Sequence, residues 1–270
     1  MTGRVLASFA RVCDLVTDGG EVVALVWDEV GNGPLNVMLE REPGVALPAG
    51  ARFVVNEHGQ VTGASGGASR LRVDLASATV WDARPDWEML RARRGQIATG
   101  ARIVAQILAE HGLSLTSCGL PQRDCDALSR YPFRNPQSAI RNLIGLGPGL
   151  TPAGDDWLAG WLLGLRLEED WGVRSAADLV LTAAETRTTL LSRAFLACAA
   201  AGEMDANWHA LLDALAGKPT TNLPIYPSTH LPIHQSTDSP LHRTALAILA
   251  HGATSGAAML MGFVAGIDVW

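Results

Sequence analysis

The hydrophobic pattern changes its period about one third of the way along the chain. Before Pro85, short β-branched or alternating segments predict strands at residues 22–27, 35–40, 52–55, 71–75 and 78–81. Glycine-rich segments such as Gly31-Asn32-Gly33 separate them and supply the positive φ angles that tight turns need. Five or six short strands joined in this way predict a β-rich N-terminal domain over residues 1–85, a small β-barrel or sandwich.

After Pro85, apolar residues recur at the spacing of an α-helix. A first helix is predicted by Leu90, Ile97, Ala101, Val104 and Leu108, and Gly112 is suited to end it. Two apolar faces predict one long helix over about residues 176–201, enclosed by other elements. The pattern therefore predicts an α+β protein whose residues 86–270 form a mainly α-helical domain.

The segment 223–238 stands apart because it is a near tandem duplication, LPIYPSTH followed by LPIHQSTD. It is rich in proline and polar residues and has little to bury, which predicts a mobile surface loop over residues 217–240. His230 and His234 are four residues apart, which suits a metal only on a helix. The prolines oppose a helix, so we expect no metal site there.

The densest signal is a glycine-rich segment that reads Gly145-Leu-Gly147-Pro-Gly149-Leu150-Thr151-Pro-Ala-Gly154-Asp155-Asp156. It predicts a loop that opens a helix, with Thr151 as the N-cap and Pro152 at the first helical position. Such a helix start attracts anions, phosphate above all, and glycines let a ligand approach the backbone. The candidate anion-binding residues here are Gly147, Gly149, Leu150, Thr151 and Gly154. Neither a Walker A motif nor the dinucleotide-binding fingerprint fits this segment.

Asp155 and Asp156 are the candidate catalytic residues, as a general base or as metal ligands. Alternatively, the two carboxylates only complement the helix dipole. Adjacent helical residues point about 100° apart, so both side chains rarely bind one ion. We therefore expect no cofactor, with a divalent metal kept as the alternative.

A similar pattern returns over residues 252–267, which align without gaps on residues 150–165. Gly256, Gly262 and Gly266 fall on Gly154, Gly160 and Gly164. Alanines replace both aspartates in the second copy. This predicts an internal glycine-rich helix repeat whose two helices pack closely together. Thr254, Ser255 and Gly256 join the candidate anion-binding residues by this alignment.

A third group of polar residues, Thr186-Arg187-Thr188-Thr189 with Ser192, lies within the predicted long helix. Arg187 could clamp an anion with its planar guanidinium group or form a surface salt bridge. Thr188 and Ser192 could line a ligand pocket or bond back to the carbonyls of their own helix. All three are carried forward as candidate ligand-binding residues.

Composition excludes several classes of protein. Disorder does not fit a chain that is 48% hydrophobic, and nucleic acid does not fit a net charge of −6. The chain shows neither a signal-peptide pattern nor paired cysteines, and polar residues such as His251 interrupt its most apolar stretch, 245–267. We expect a cytoplasmic protein that binds neither nucleic acid nor a membrane.

The three motifs, in this order, resemble the AllH-like family. Its name comes from the subunit of a bacterial oxamate carbamoyltransferase in allantoin degradation. The resemblance implies a role in reversible carbamoyl transfer between oxalurate and phosphate, which yields oxamate and carbamoyl phosphate. It also implies partner subunits, so the chain alone need not be catalytic.

The leading hypothesis is therefore a carbamoyltransferase-type protein or subunit in purine-derived nitrogen catabolism. The glycine-rich loop would hold phosphate or carboxylate, and Asp155 would orient or deprotonate the nitrogen nucleophile. Two alternatives stay open: a metal-assisted hydrolase that uses Asp155 and Asp156, and a non-catalytic ligand-binding or scaffolding subunit. The expected partners are a small anionic substrate and either partner subunits or further copies of the chain.

Overall fold

The computed structural model describes residues 1–27, 30–40, 47–56, 60–64, 70–130, 136–168, 170–218 and 239–267. Contacts between residues divide the chain into two compact units, Met1–Ala83 and Arg84–Trp270. The predicted α+β class is confirmed, because a β-sheet unit is followed by a mostly helical one. The predicted mobile loop, except for residues 217–218 and 239–240, lies outside the described residues, as do His230 and His234.

The first unit is built on a single seven-stranded sheet that curls into a half-barrel. Its strands are β1 (Thr2–Ser8), β2 (Val12–Thr17), β3 (Val22–Val26), β4 (Asn36–Met38), β5 (Arg52–Val55), β6 (Gln60–Ala64) and β7 (Arg70–Asp74). They lie in the order β4-β3-β2-β1-β5-β6-β7, and each neighbouring pair is antiparallel except the parallel pair β3–β4. One curled sheet agrees with the barrel alternative and not with a two-sheet sandwich.

Two features of the sheet differ from the strand prediction. The strand predicted at 78–81 is wrong, since these residues form no regular structure and Val80 is 100% exposed. The side chain of Val80 therefore has no core to pack against. The strands β1, β2 and β6 were not predicted. The turn between β1 and β2 runs through Phe9-Ala10-Arg11 and contains no Gly, Asn or Pro to mark it.

The second unit consists of helices that surround one buried helix pair. They are α1 (Trp87–Ala92), α2 (Arg94–Glu110), α3 (Gln122–Leu128), α4 (Gln137–Leu143), α5 (Ala153–Leu165), α6 (Asp170–Arg187), α7 (Leu190–Ala201), α8 (Ala206–Leu215), α9 (Pro240–Leu249) and α10 (Ser255–Ile267). Every residue of α5 is buried, and α10 is its main partner. None of the helices among the described residues has the length and apolar character to cross a membrane.

The prediction of a single long helix over 176–201 is wrong, because the helix is interrupted at Thr188-Thr189, between α6 and α7. Thr189 is extended, with φ −70° and ψ 159°, and its hydroxyl accepts a hydrogen bond from the Ser192 N–H at 3.0 Å. It is thus the N-cap of α7. Both helices bury one apolar face, so the hydrophobic period runs on through the break and hides it.

Helices α5 and α10 pack backbone to backbone, as predicted. A Cβ atom placed on Gly160 would lie 1.9 Å from the Met259 carbonyl oxygen. One placed on Gly262 would lie 1.9 Å from the Trp157 carbonyl oxygen. Any larger residue at these two positions would push the helices apart, which explains why both are glycine. The interpretation of the two segments as an internal repeat stays a prediction.

Candidate functional site

The glycine-rich loop leads from the end of α4 back to the start of α5. Gly145, Gly147 and Gly149 have φ angles of 72°, 116° and 96°, a region that side chains disfavour. Gly147 and Gly149 are exposed, Leu150 and Thr151 are half-buried, and Gly154 is buried. The loop therefore exposes backbone to solvent just before a fully buried helix.

Thr151 is not the N-cap that the sequence predicts. Helix α5 begins at Ala153, Pro152 stands in the cap position with ψ 141°, and no side chain caps the helix. The extended backbone at Pro152 delays the helix by one residue relative to the prediction. The first amides also have partners within the protein: Gly154 N–H donates to Leu146 O at 2.9 Å, and Asp155 N–H to Pro152 O at 2.9 Å.

Asp155 is the centre of a hydrogen-bond network that joins three segments. Its side chain is buried, with the residue 1% exposed. One carboxylate oxygen accepts from the Gly145 N–H at 2.8 Å. The other accepts from the Ser192 hydroxyl at 2.7 Å and from the Thr188 hydroxyl. Both oxygens are thus engaged, and they hold the glycine-rich loop against the α6–α7 junction.

The hydroxyls of Thr188 and Ser192 bind across the fold and not to their own helices. Thr188 and Ser192 bind Asp155, so the alternative in which they bond back to helix carbonyls is wrong. Thr189, which the sequence did not single out, donates its hydroxyl to the Leu150 carbonyl. Two adjacent threonines after a helix-ending arginine are the sequence signal that could have located this helix start.

Asp156 differs sharply from its neighbour. The residue is 8% exposed, and its Oδ2 has no hydrogen-bond partner among the described residues. Burial raises the pKa of this carboxyl to about 7, a hydrogen bond from Ser255 opposes the rise, and the charge of Asp155 adds to it. Asp156 thus changes its protonation near neutral pH.

Ser255 brings the start of α10 to the same place. Its hydroxyl lies 3.3 Å from the hydroxyl of Thr151, so the residues before α5 and at the start of α10 meet beside Asp156. We call Thr151, Asp156 and Ser255 the acid–hydroxyl cluster. The Cys118 thiol is close enough for the charge of Asp156 to add to the rise in its pKa, which burial mainly causes.

The other candidates at the start of α10 serve the helix itself. The Thr254 carbonyl accepts from the Ala258 N–H at 2.9 Å. Gly256 donates its N–H to the His251 carbonyl, and a Cβ there would collide with the Ile248 carbonyl. Close packing against the Ile248 carbonyl therefore explains why residue 256 is glycine.

Arg187 precedes the α6–α7 junction, and its carbonyl lies beside Gly145 of the glycine-rich loop. It is exposed at the end of α6 and lines a groove of about 510 Å³ between α4 and α6, together with Gln137, Arg141 and Asp178. The described residues that line this groove include neither Asp155 nor Asp156. Within the described part of the chain, no group of three His, Cys, Asp or Glu side chains is placed to hold a metal ion.

Comparison with known proteins identifies the part of the chain that holds this site. The family model described as oxamate carbamoyltransferase subunit AllH matches residues 143–267. No curated protein and no solved structure matches the chain. The matched residues begin at the end of α4 and include the glycine-rich loop, both aspartates, the α6–α7 junction and α10. The predicted resemblance is confirmed over residues 143–267, where the helical unit is similar to the oxamate carbamoyltransferase subunit AllH family.

Proposed function

We propose that the chain is a subunit of a carbamoyltransferase that converts oxalurate and phosphate into oxamate and carbamoyl phosphate, in purine-derived nitrogen catabolism. One observation carries the proposal. The AllH match covers the four segments that hold the hydrogen-bonding groups around Asp155 and Asp156: the glycine-rich loop, α5, the α6–α7 junction and α10. The word subunit in the family's description supports partner subunits, with which the chain would form the complete enzyme.

Within this function the two aspartates take different parts. Asp155 is a positioning residue, because three donors from the protein already occupy its oxygens. Asp156 is the carboxyl that remains to meet a ligand. The exposed backbone of Gly147 and Gly149 would receive the phosphate or carboxylate group, since glycine lets an anion approach its N–H closely.

The arrangement supports the transferase over the metal-assisted hydrolase. A hydrolase that used both aspartates would need free oxygens on each of them. The oxygens of Asp155 accept hydrogen bonds from Gly145, Thr188 and Ser192, and metal coordination would have to displace these donors. The geometry therefore offers one available carboxyl and not a pair.

The test measures ligand binding and carbamoyl transfer on the full-length chain, alone and with any subunit that co-purifies. Oxalurate, oxamate, phosphate and carbamoyl phosphate are compared with chloride at equal ionic strength. A ligand at 100 times its Kd stabilises the folded state by about 2.7 kcal/mol, so Tm should rise. The co-purified complex should also form carbamoyl phosphate from oxalurate and phosphate.

Other results would overturn the proposal in different ways. A rise in Tm with Mg²⁺ or Mn²⁺ that Asp156→Asn abolishes, and none with the four substrates, would favour the hydrolase. If no ligand raises Tm and a co-purified partner transfers carbamoyl groups equally well without this chain, the chain is a scaffold.

A further inference from the structure

The starting point is the unpaired Oδ2 of Asp156. A buried carboxylate oxygen without a hydrogen bond is costly, and nearly all such atoms in proteins have a partner. Asp155 shows that the fold supplies donors in this region, since three of them converge on the adjacent carboxyl. Among the described residues, Asp156 has the Ser255 hydroxyl as its donor, and its Oδ2 has no partner.

The groups that face Asp156 decide which ligand could satisfy this oxygen. They are Asp155 on its own helix, Ser255 on α10 and Cys118 on the segment between α2 and α3. None of these described groups carries a positive charge. An anionic ligand group placed here would meet two carboxylates, whereas an N–H group would donate a hydrogen bond to the unpaired oxygen.

We propose that the acid–hydroxyl cluster binds the nitrogen end of a ligand, an amide, carbamoyl or ureido group that donates its N–H to Asp156 Oδ2. Ser255 donates its one hydroxyl proton to Asp156, so the Thr151 hydroxyl, 3.3 Å from that of Ser255, is the one available to donate to the carbonyl oxygen that such groups carry. The anionic end of the same ligand lies outside the cluster, away from the two carboxylates. This assignment deepens the proposed function and rests on it for the choice of probes.

The sign of the pH dependence follows from the chemistry of the two ligand classes. An N–H donor prefers the ionised carboxylate, so its affinity rises with pH until Asp156 is fully ionised. With the pKa at about 7, affinity should rise up to about 30-fold between pH 5.5 and 8.5. An oxyanion that accepted the proton of neutral Asp156 would show the opposite trend. The direction in which affinity changes with pH therefore distinguishes an N–H donor from an oxyanion.

The experiment compares oxamate with pyruvate by isothermal titration calorimetry at pH 5.5, 7.0 and 8.5. The two ligands carry the same charge and have nearly the same shape, but a methyl group in pyruvate replaces the NH₂ group of oxamate. The protein is the full-length chain with any co-purifying subunit. A hydrogen bond to a charged group predicts that oxamate binds at least about 10-fold more tightly at pH 8.5.

Variants locate the effect. Asp156→Asn keeps the shape of the side chain but cannot ionise, so it should abolish the rise in affinity with pH. Asp178→Asn, which removes an exposed acid on α6, is the matched control and should bind oxamate as the parent does. Ser255→Ala is the second test, because it raises the pKa of Asp156 further and should shift the rise to higher pH.

The inference is overturned if oxamate and pyruvate bind equally, if neither binds, or if the affinity for oxamate falls as pH rises. These results differ from a failure of the proposed function. Selective, pH-dependent oxamate binding without carbamoyl transfer by the complex would overturn the function and keep the inference. Carbamoyl transfer by the complex with equal binding of oxamate and pyruvate would overturn the inference and keep the proposed function.

Discussion

The α5–α10 contact predicts a large loss of stability for Gly160→Ala. In an ordinary helix, alanine is about 1 kcal/mol more favourable than glycine. At Gly160, however, the new Cβ would lie 1.9 Å from the Met259 carbonyl oxygen, far closer than two such atoms can approach. That oxygen belongs to the backbone of α10 and cannot rotate away, so the helices must separate by more than 1 Å.

The cost of this separation can be worked from the residues around it. Trp157, Leu158, Trp161, Leu260 and Phe263 are fully buried along the two helices. A gap of 0.5–1 Å forfeits about a quarter to a half of the dispersion energy between facing atoms. Forced insertion of a methyl group into a packed core costs about 1–3 kcal/mol, and more where the backbone cannot adjust. We expect Gly160→Ala to lower the free energy of unfolding by about 3 kcal/mol or more.

The assay is urea unfolding followed by tryptophan fluorescence, with Gly95→Ala as the control. Gly95 lies in α2, and a Cβ there would meet nothing within 4 Å, so alanine should stabilise the protein by about 0.5–1 kcal/mol. Gly262→Ala should be as harmful as Gly160→Ala, and the double variant should cost less than the sum because one separation admits both methyl groups. Equal effects of alanine at Gly160 and Gly95 would refute the close packing.

Three further predictions concern the acidic residues and the helix junction. In Asp156, the folded-state pKa of about 7 lies above the ordinary 3.8, so the parent should lose stability as pH rises from about 4 to 7. Asp156→Asn should remove this loss, which amounts to roughly 4 kcal/mol over the whole range. The prediction is contradicted if urea unfolding shows the same change in stability between pH 5 and pH 8 for the parent and the variant. Ser192→Ala removes one donor to buried Asp155 and should cost about 1–3 kcal/mol at pH 7, whereas an unchanged urea midpoint would argue against the network. Thr189→Ala should cost about 0.5–2 kcal/mol and increase amide hydrogen exchange in the first turn of α7, while Thr189→Ser should retain the cap.

Sequence reasoning succeeded where a local pattern has one structural solution. Alternating β-branched residues located β3 and β5, and the repeated glycines located the close pairing of α5 with α10. It failed where a local pattern has two solutions. Thr188 and Thr189 can sit inside a helix or begin one, and the apolar period on both sides is the same. The break is decided by Asp155 and Leu150, which lie more than 30 residues away and accept the two hydroxyls.

The roles of the two aspartates could not be predicted for the same reason. Both lie in the first turn of α5, and the sequence distinguishes them only by their angular position on the helix. The docking of α7 places Ser192 on one of them, and the docking of α10 places Ser255 near the other. Tertiary packing thus decides which of the two carboxyls has hydrogen-bond donors for both oxygens and which one keeps an unpaired oxygen.

The burial of α5 has a consequence for synthesis of the protein. All of its residues are buried, but its main partner, α10, lies roughly 90 residues further along the chain. At about 5–20 residues per second, α5 leaves the ribosome roughly 5–18 seconds before α10 does. During that interval the face of this apolar helix that α10 covers has no permanent partner. We therefore expect recovery of folded protein to depend on chaperones and on slow synthesis, and truncation before Ser255 to leave an aggregating chain.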